Sequence, residues 1–170
     1  MKRKQPVLLK SLLIICLCVF YPSKTYAQIP APTIPNFVFY SFDKIPFTNE
    51  NLSVGKKILF IFFDVTCDHC QHTIKSLNDR IGDCKNTSVY LLTLDEKPSV
   101  NTFLTKYGKN LMNSKNVTIL QDSKNQFIMV FGPRKYPSVF LYSADRELML
   151  YDDEDQTLGR FFKLIKGSNK

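Results

Sequence analysis

Hydrophobic positions in this chain fall into short unbroken runs separated by helically spaced stripes. Ile58-Leu59-Phe60-Ile61-Phe62-Phe63 is apolar throughout, the pattern of a strand covered on both faces within an α/β sheet. Val89 to Leu94 reads as a second buried strand and Phe37 to Phe42 as a short aromatic one, with another short strand near Pro46–Thr48. Between the runs, Cys70, Ile74, Leu77 and Ile81 share one helical face that ends at Gly82. Val100, Phe103, Leu104 and Tyr107 share another that ends at Gly108. Val117 to Leu120 predicts a short strand, and Asp122 or Ser123 a cap for a helix reaching Phe131, stopped by Gly132-Pro133. Ser138 to Tyr142 and Leu148 to Tyr151 are spaced as an antiparallel pair around residues 143–146, and Leu158, Phe161, Phe162 and Ile165 face inward from a C-terminal helix. This alternation predicts one α/β domain over residues 36–170, a central mixed sheet flanked by helices, with an N-terminal strand extension. Residues 28–35, with Pro30, Pro32 and Pro35, read as a Pro-rich extended tether outside the core.

The ends of the chain change the meaning of its charge. The formal charge is +8 over 170 residues, with 23 basic and 15 acidic side chains. Lys2, Arg3, Lys4, Lys10 and Lys24 precede Ala27 with no acid among them, so the remainder carries 18 basic against 15 acidic residues. That mild surplus excludes nucleic acid as an expected partner. A basic start, the apolar stretch from Ser11 to Phe20, then Pro22 and Thr25-Tyr26-Ala27 make residues 1–27 a secretory signal. The stretch is shorter than the roughly 20 residues of a comfortable membrane span. Left uncleaved it would anchor the domain to the membrane; the expected location is periplasmic or otherwise extracytoplasmic in either case.

Export sets how the cysteines are read. Cys16 and Cys18 lie in the signal, leaving Cys67, Cys70 and Cys84, a pair plus one in a compartment where disulfides persist. Cys67-Asp68-His69-Cys70 follows a buried strand and opens a helix. There, unpaired amide N–H groups and the positive end of the helix dipole favour a thiolate at Cys67. The three-residue step puts both sulfurs on one side, so Cys67 can attack a substrate disulfide and Cys70 can resolve the mixed disulfide, leaving a Cys67–Cys70 disulfide. Haem attachment needs a histidine where Gln71 stands, and zinc needs about four ligands where the only histidines, His69 and His72, flank the pair. No metal and no cofactor is therefore expected. Asp68 and His69 tune the sulfur in opposite senses, by roughly 1 kcal/mol each for exposed charges a few ångströms apart. Cys84, fourteen residues past Cys70, lies about 20 Å away along a continuous helix and reads as a small buried hydrophobe or, less simply, an intermolecular handle.

Pro35-Asn36-Phe37, Gly55-Lys56-Lys57, Cys67 to Cys70, Phe131-Gly132, Pro137 and the closing hairpin and helix together resemble the TlpA/ResA-like extracytoplasmic members of the thioredoxin-like superfamily. The resemblance implies a thioredoxin-like fold and a thiol–disulfide oxidoreductase acting on protein or peptide thiols and disulfides, with a further redox partner, as a monomer. It implies a cis-proline at Pro137 which, with Tyr136, aligns a substrate peptide opposite the cysteines. His69 is similar to the histidine of the Cys-Pro-His-Cys found in disulfide-forming enzymes. Three positions depart from the pattern: Thr66 stands where tryptophan is usual, Ile61 where the buried acid is, and Thr73 where ResA-like members carry an acid. Asp64 becomes the candidate proton acceptor for Cys70, and the direction of electron flow is left open. Two alternatives stand beside this reading. One is a non-catalytic binding or assembly module on the same scaffold. The other is a peroxidase, whose chemistry wants threonine or serine where Asp64 stands, three residues before Cys67.

Overall fold

The computed structural model describes residues 28–167. Strands β1 (Val38–Tyr40) and β2 (Pro46–Thr48) form an antiparallel hairpin ahead of β3 (Lys57–Phe62). Helix α1 (Asp68–Arg80), β4 (Thr87–Thr93), α2 (Lys97–Tyr107), the one-turn α3 (Lys109–Met112) and β5 (Val117–Gln121) follow. Then come α4 (Gln126–Phe131), the hairpin β6 (Ser138–Tyr142) and β7 (Leu148–Asp152), and α5 (Gly159–Lys166). All seven strands lie in one sheet, ordered β2-β1-β5-β4-β3-β6-β7. The centre, β5-β4-β3, is parallel, and the flanking strands are antiparallel.

Every residue of β3, β4 and β6 is buried, which is why these runs are apolar at consecutive rather than alternate positions. Successive side chains feed two cores. Leu59, Ile61 and Phe63 pack with Ile74, Leu77 and Leu104 of α1 and α2 and with Phe161 and Phe162 of α5. Ile58, Phe60 and Phe62 pack on the other face against Phe37, Phe39, Phe127 and Phe131. This second core is mostly aromatic rings in stacked, tilted and edge-on contact, with Phe127 and Phe131 stacked at 4.2 Å between centroids. The sequence holds 14 phenylalanines and no tryptophan, and phenylalanine supplies most of those rings.

The predicted elements recur with three differences. Helix α4 begins at Gln126 rather than beside Asp122, because Asn125 takes a left-handed conformation (φ 53°). Asp122 still serves the helix start at a distance, its two oxygens accepting the Gln126 and Phe127 N–H groups at 2.9 and 2.7 Å. Helix α1 stops at Arg80, and a 3-10 turn over Ile81–Cys84 brings Cys84 into the first core. Residues 28–35, expected as a tether, form no regular element but are fastened to the domain. The Ala31 N–H donates to the Phe131 carbonyl (2.9 Å), Leu148 N–H to Pro32 carbonyl (2.8 Å), and Thr33 bridges Glu147 beside β7. Gly132 (φ 65°) makes this docking fit, since a Cβ there would lie 2.4 Å from the Ile29 carbonyl. The signal expected over residues 1–27 lies outside the described residues, among which no helix is long and apolar enough to cross a membrane.

Candidate active site

The turn between β3 and α1 is closed by side chains of its own sequence. Asp64 Oδ1 accepts the Thr66 N–H at 2.7 Å and the Thr66 hydroxyl at 2.6 Å, while Asp95, just past the end of β4, accepts the Val65 N–H at 3.0 Å. Thr93 steadies that carboxylate with its hydroxyl, 2.8 Å from Asp95 Oδ2. The chain then enters α1 with Cys67 as N-cap in an extended conformation (φ −84°, ψ 117°). Cys67 Sγ accepts the Cys70 N–H at 3.4 Å, the place usually taken by a serine or aspartate oxygen.

The two sulfurs differ in their surroundings. Cys67 is half-buried, and its thiol faces the Tyr136 carbonyl at 3.9 Å. Cys70 is fully buried one turn later, its sulfur receiving the Asp64 N–H at 3.5 Å. Burial pushes the Cys70 thiol far above its ordinary acidity range; the neighbouring Cys67 and the Asp64 charge push the same way, against the Asp64 N–H. Cys67, Cys70 and Cys84 are all free thiols. The expected Cys67–Cys70 disulfide is therefore not present, and the structure shows the dithiol of a pair close enough to share a hydrogen bond.

The other residues singled out in the sequence gather here unevenly. Asp68 is exposed in the first turn of α1 and accepts the Gln71 side-chain amide at 3.0 Å. His69 is also exposed, with Nδ1 against the Gln156 side chain rather than against sulfur. Tyr136 packs its ring against Phe62 at 4.6 Å between centroids and precedes Pro137 across a cis peptide bond. Burial, then the charges of Asp64 and Asp95, hold the Tyr136 hydroxyl up at about 12. An open groove of about 500 Å³ runs alongside, between Val65 and Gln71 on one bank and Pro98, Phe103, Lys106 and Tyr107 on the other. No group of three or more potential metal ligands occurs among the described residues.

Sequence reading missed Asp95, Asp153 and Gln156. Asp95 had a usable signal, because it follows the C-terminal end of the strand beside β3, and sites in open α/β sheets sit at those ends. Asp153 and Gln156 lie between two predicted elements, with nothing in their spacing to mark them.

A cysteine pair at the junction of a central strand and its helix, on a mixed sheet covered on both faces, defines a thioredoxin-like protein. A family model described as the AhpC/TSA family matches residues 30–151, and the chain belongs to that family. It is a family of thiol-dependent redox proteins. No curated protein matches. Among solved structures, a thioredoxin-like protein from Aeropyrum pernix is 13% identical, with 77% of this chain and 88% of that one covered at a TM-score of 0.65. A peroxidoxin, BcpB, from Mycobacterium tuberculosis is 11% identical over 81% and 96%, with a TM-score of 0.64. A secreted Mycobacterium tuberculosis disulfide oxidoreductase homologous to E. coli DsbE is 18% identical over 76% and 93%, with a TM-score of 0.59. At these identities the likeness is one of fold.

Proposed function

We propose that this protein exchanges thiols and disulfides on exported proteins or peptides, with Cys67 as nucleophile and Cys70 as resolving thiol. The observation that carries the reading is the asymmetry of the pair: one sulfur is half-buried at a helix N-terminus, and the other is sealed beneath it as a thiol. In the reducing direction the Cys67 thiolate attacks one sulfur of a substrate disulfide. The Cys67–substrate bond forms as the substrate S–S bond breaks, and the other substrate sulfur leaves as a thiolate that takes up a proton. Cys70 then loses its proton and attacks Cys67 Sγ, releasing the second substrate thiol and leaving the protein disulfide, two electrons poorer. Asp64 is the proposed proton acceptor for Cys70, its charge already acting on that thiol. Asp68 and His69 are the proposed tuners of the sulfur from the exposed side. Tyr136 and Pro137 form the proposed wall for the substrate chain.

The extracytoplasmic setting rests on residues 1–27, and an uncleaved leader would keep the domain at the membrane. The test is reduction of insulin or a short peptide disulfide by the dithiol protein. Wild-type protein consumes one disulfide per pair, and Cys67→Ser abolishes this; activity unchanged in Cys67→Ser would sink the proposal. A peroxide assay separates the alternative carried by the family match. Rapid consumption of hydrogen peroxide without peptide-disulfide turnover would move the function to peroxide reduction, despite Asp64 standing three residues before Cys67. Neither activity would leave the binding-module reading.

A further inference from the structure

The connection between β7 and α5 takes no part in the chemistry above, yet it is bonded to both elements that meet at Cys67. On the α1 side, the Ser76 hydroxyl donates to the Thr157 carbonyl at 2.6 Å, and Gln156 meets His69. On the other side is a denser arrangement around Asp153. The Arg134 guanidinium donates from Nε and Nη2 to the two Asp153 oxygens, each at 2.9 Å. The Asp153 side chain is only 2% exposed, whereas that of Arg134 is 56% exposed. The Tyr151 hydroxyl donates to Asp153 at 2.8 Å and accepts the Arg134 backbone N–H at 3.0 Å. Ser138 Oγ lies 3.0 Å from that same hydroxyl and 2.7 Å from the Lys135 carbonyl.

One buried carboxylate, with the hydroxyl it orients, therefore holds Arg134, Lys135 and Ser138, the residues on either side of Tyr136-Pro137. A carboxylate this deep is tolerated only when its oxygens are fully used, and two guanidinium N–H groups and a phenol use them here. What the held segment presents is the Tyr136 carbonyl, 3.9 Å from Cys67 Sγ.

We propose that Asp153 is a positioning residue that acts through Arg134 and Tyr151 to fix the Tyr136 carbonyl over Cys67, so that the loop both shields the sulfur from small electrophiles and shapes the wall a disulfide substrate must meet. For turnover the proposal rests on the thiol-exchange reading; for shielding it does not. Loosening the loop moves two readouts in opposite directions. A small reagent gains access to Cys67, while a peptide disulfide, which needs both walls in place, loses a fixed approach.

The test uses Asp153→Asn and Tyr151→Phe in the otherwise unaltered protein. Alkylation of Cys67 by iodoacetamide is followed by peptide mass mapping, with buried Cys84 as the internal control for an intact core. The expected result is about fivefold faster alkylation of Cys67, Cys84 still protected, and about tenfold lower kcat/KM for peptide disulfide through a raised KM. Wild-type alkylation of Cys67 in both variants, with Cys84 protected, overturns the proposal whether or not the protein turns over disulfides. Should Asp153→Asn expose Cys84, Tyr151→Phe decides alone: it keeps the ring and removes one oxygen, so the same split upholds the proposal and wild-type values overturn it. A wild-type protein without disulfide turnover removes the exchange reading and the KM arm, and leaves the alkylation arm to judge the loop.

Discussion

Cys70 carries the least accessible proton of the site. Its thiol is buried and pressed by the Cys67 and Asp64 side chains, so it stays protonated until a mixed disulfide forms above it. Replacing it should arrest the reaction halfway: Cys70→Ser is expected to accumulate a Cys67-linked mixed disulfide in near-stoichiometric yield, seen as a mass shift that dithiothreitol reverses. Cys84 gives a titration that is independent of catalysis. Burial, and to a smaller extent the Asp83 charge, raise its thiol from 9.0 to about 11. An unfolded chain would ionise it at the ordinary value, so its contribution is complete below about pH 9 and is lost as the pH climbs toward 11. Urea midpoints measured across that window should fall in the wild type and fall less in Cys84→Ala; equal slopes would remove Cys84 from the account. The cysteines were legible in the sequence because their types and spacing imply chemistry. Asp153 was not, since an isolated acid looks the same on a surface loop and under one.

Helices and strands were legible where burial repeats with a period. β3 and α1 are placed to within a residue or two because each buries a continuous run or a stripe. The start of α4 was misjudged because an Asx side chain can satisfy amides from several residues away, as Asp122 does across residues 123–125. α5 illustrates a contact no local pattern reveals. Lys57, at the first position of β3 and nearly buried, donates from Nζ to the Leu164 and Gly167 carbonyls at 2.6 and 2.7 Å, closing the C-terminal end of that helix. Lys57→Met keeps the aliphatic stem and removes the donors, and is expected to cost about 1–3 kcal/mol in urea unfolding. Loss of the α5 amide protection first, by hydrogen exchange, would show the cost arising at this cap.

The whole molecule is two cores separated by one sheet, and their chemistry differs. The mainly aliphatic core beneath α1, α2 and α5 supports the cysteine pair; the aromatic core beneath α4 takes in Phe37 and Phe39 of the N-terminal segment on the other face of the sheet. Phe131, fully buried against Phe60, Phe127 and Phe140, links that second core to the segment before β1 through its carbonyl bond to Ala31. Phe131→Ala should cost about 3–5 kcal/mol of global stability, read as a lowered urea midpoint with the Ala31 amide among the first to exchange. The mixed sheet with helices on both faces followed from the alternation of runs and stripes; the strand order did not. Nor did the docking of residues 31–34, because proline-rich stretches read alike whether they lie free or along a strand edge.

That docking has a consequence for reach. Eight extended residues could span about 27 Å at some 3.4 Å each. With positions from Ile29 to Ile34 fixed against Gly132, Phe131 and the start of β7, almost none of that length is slack. The segment that reads as a spacer therefore adds almost no reach: a pull applied at Gln28 would load the Ala31 and Pro32 hydrogen bonds on Phe131 and Leu148 rather than draw out free chain.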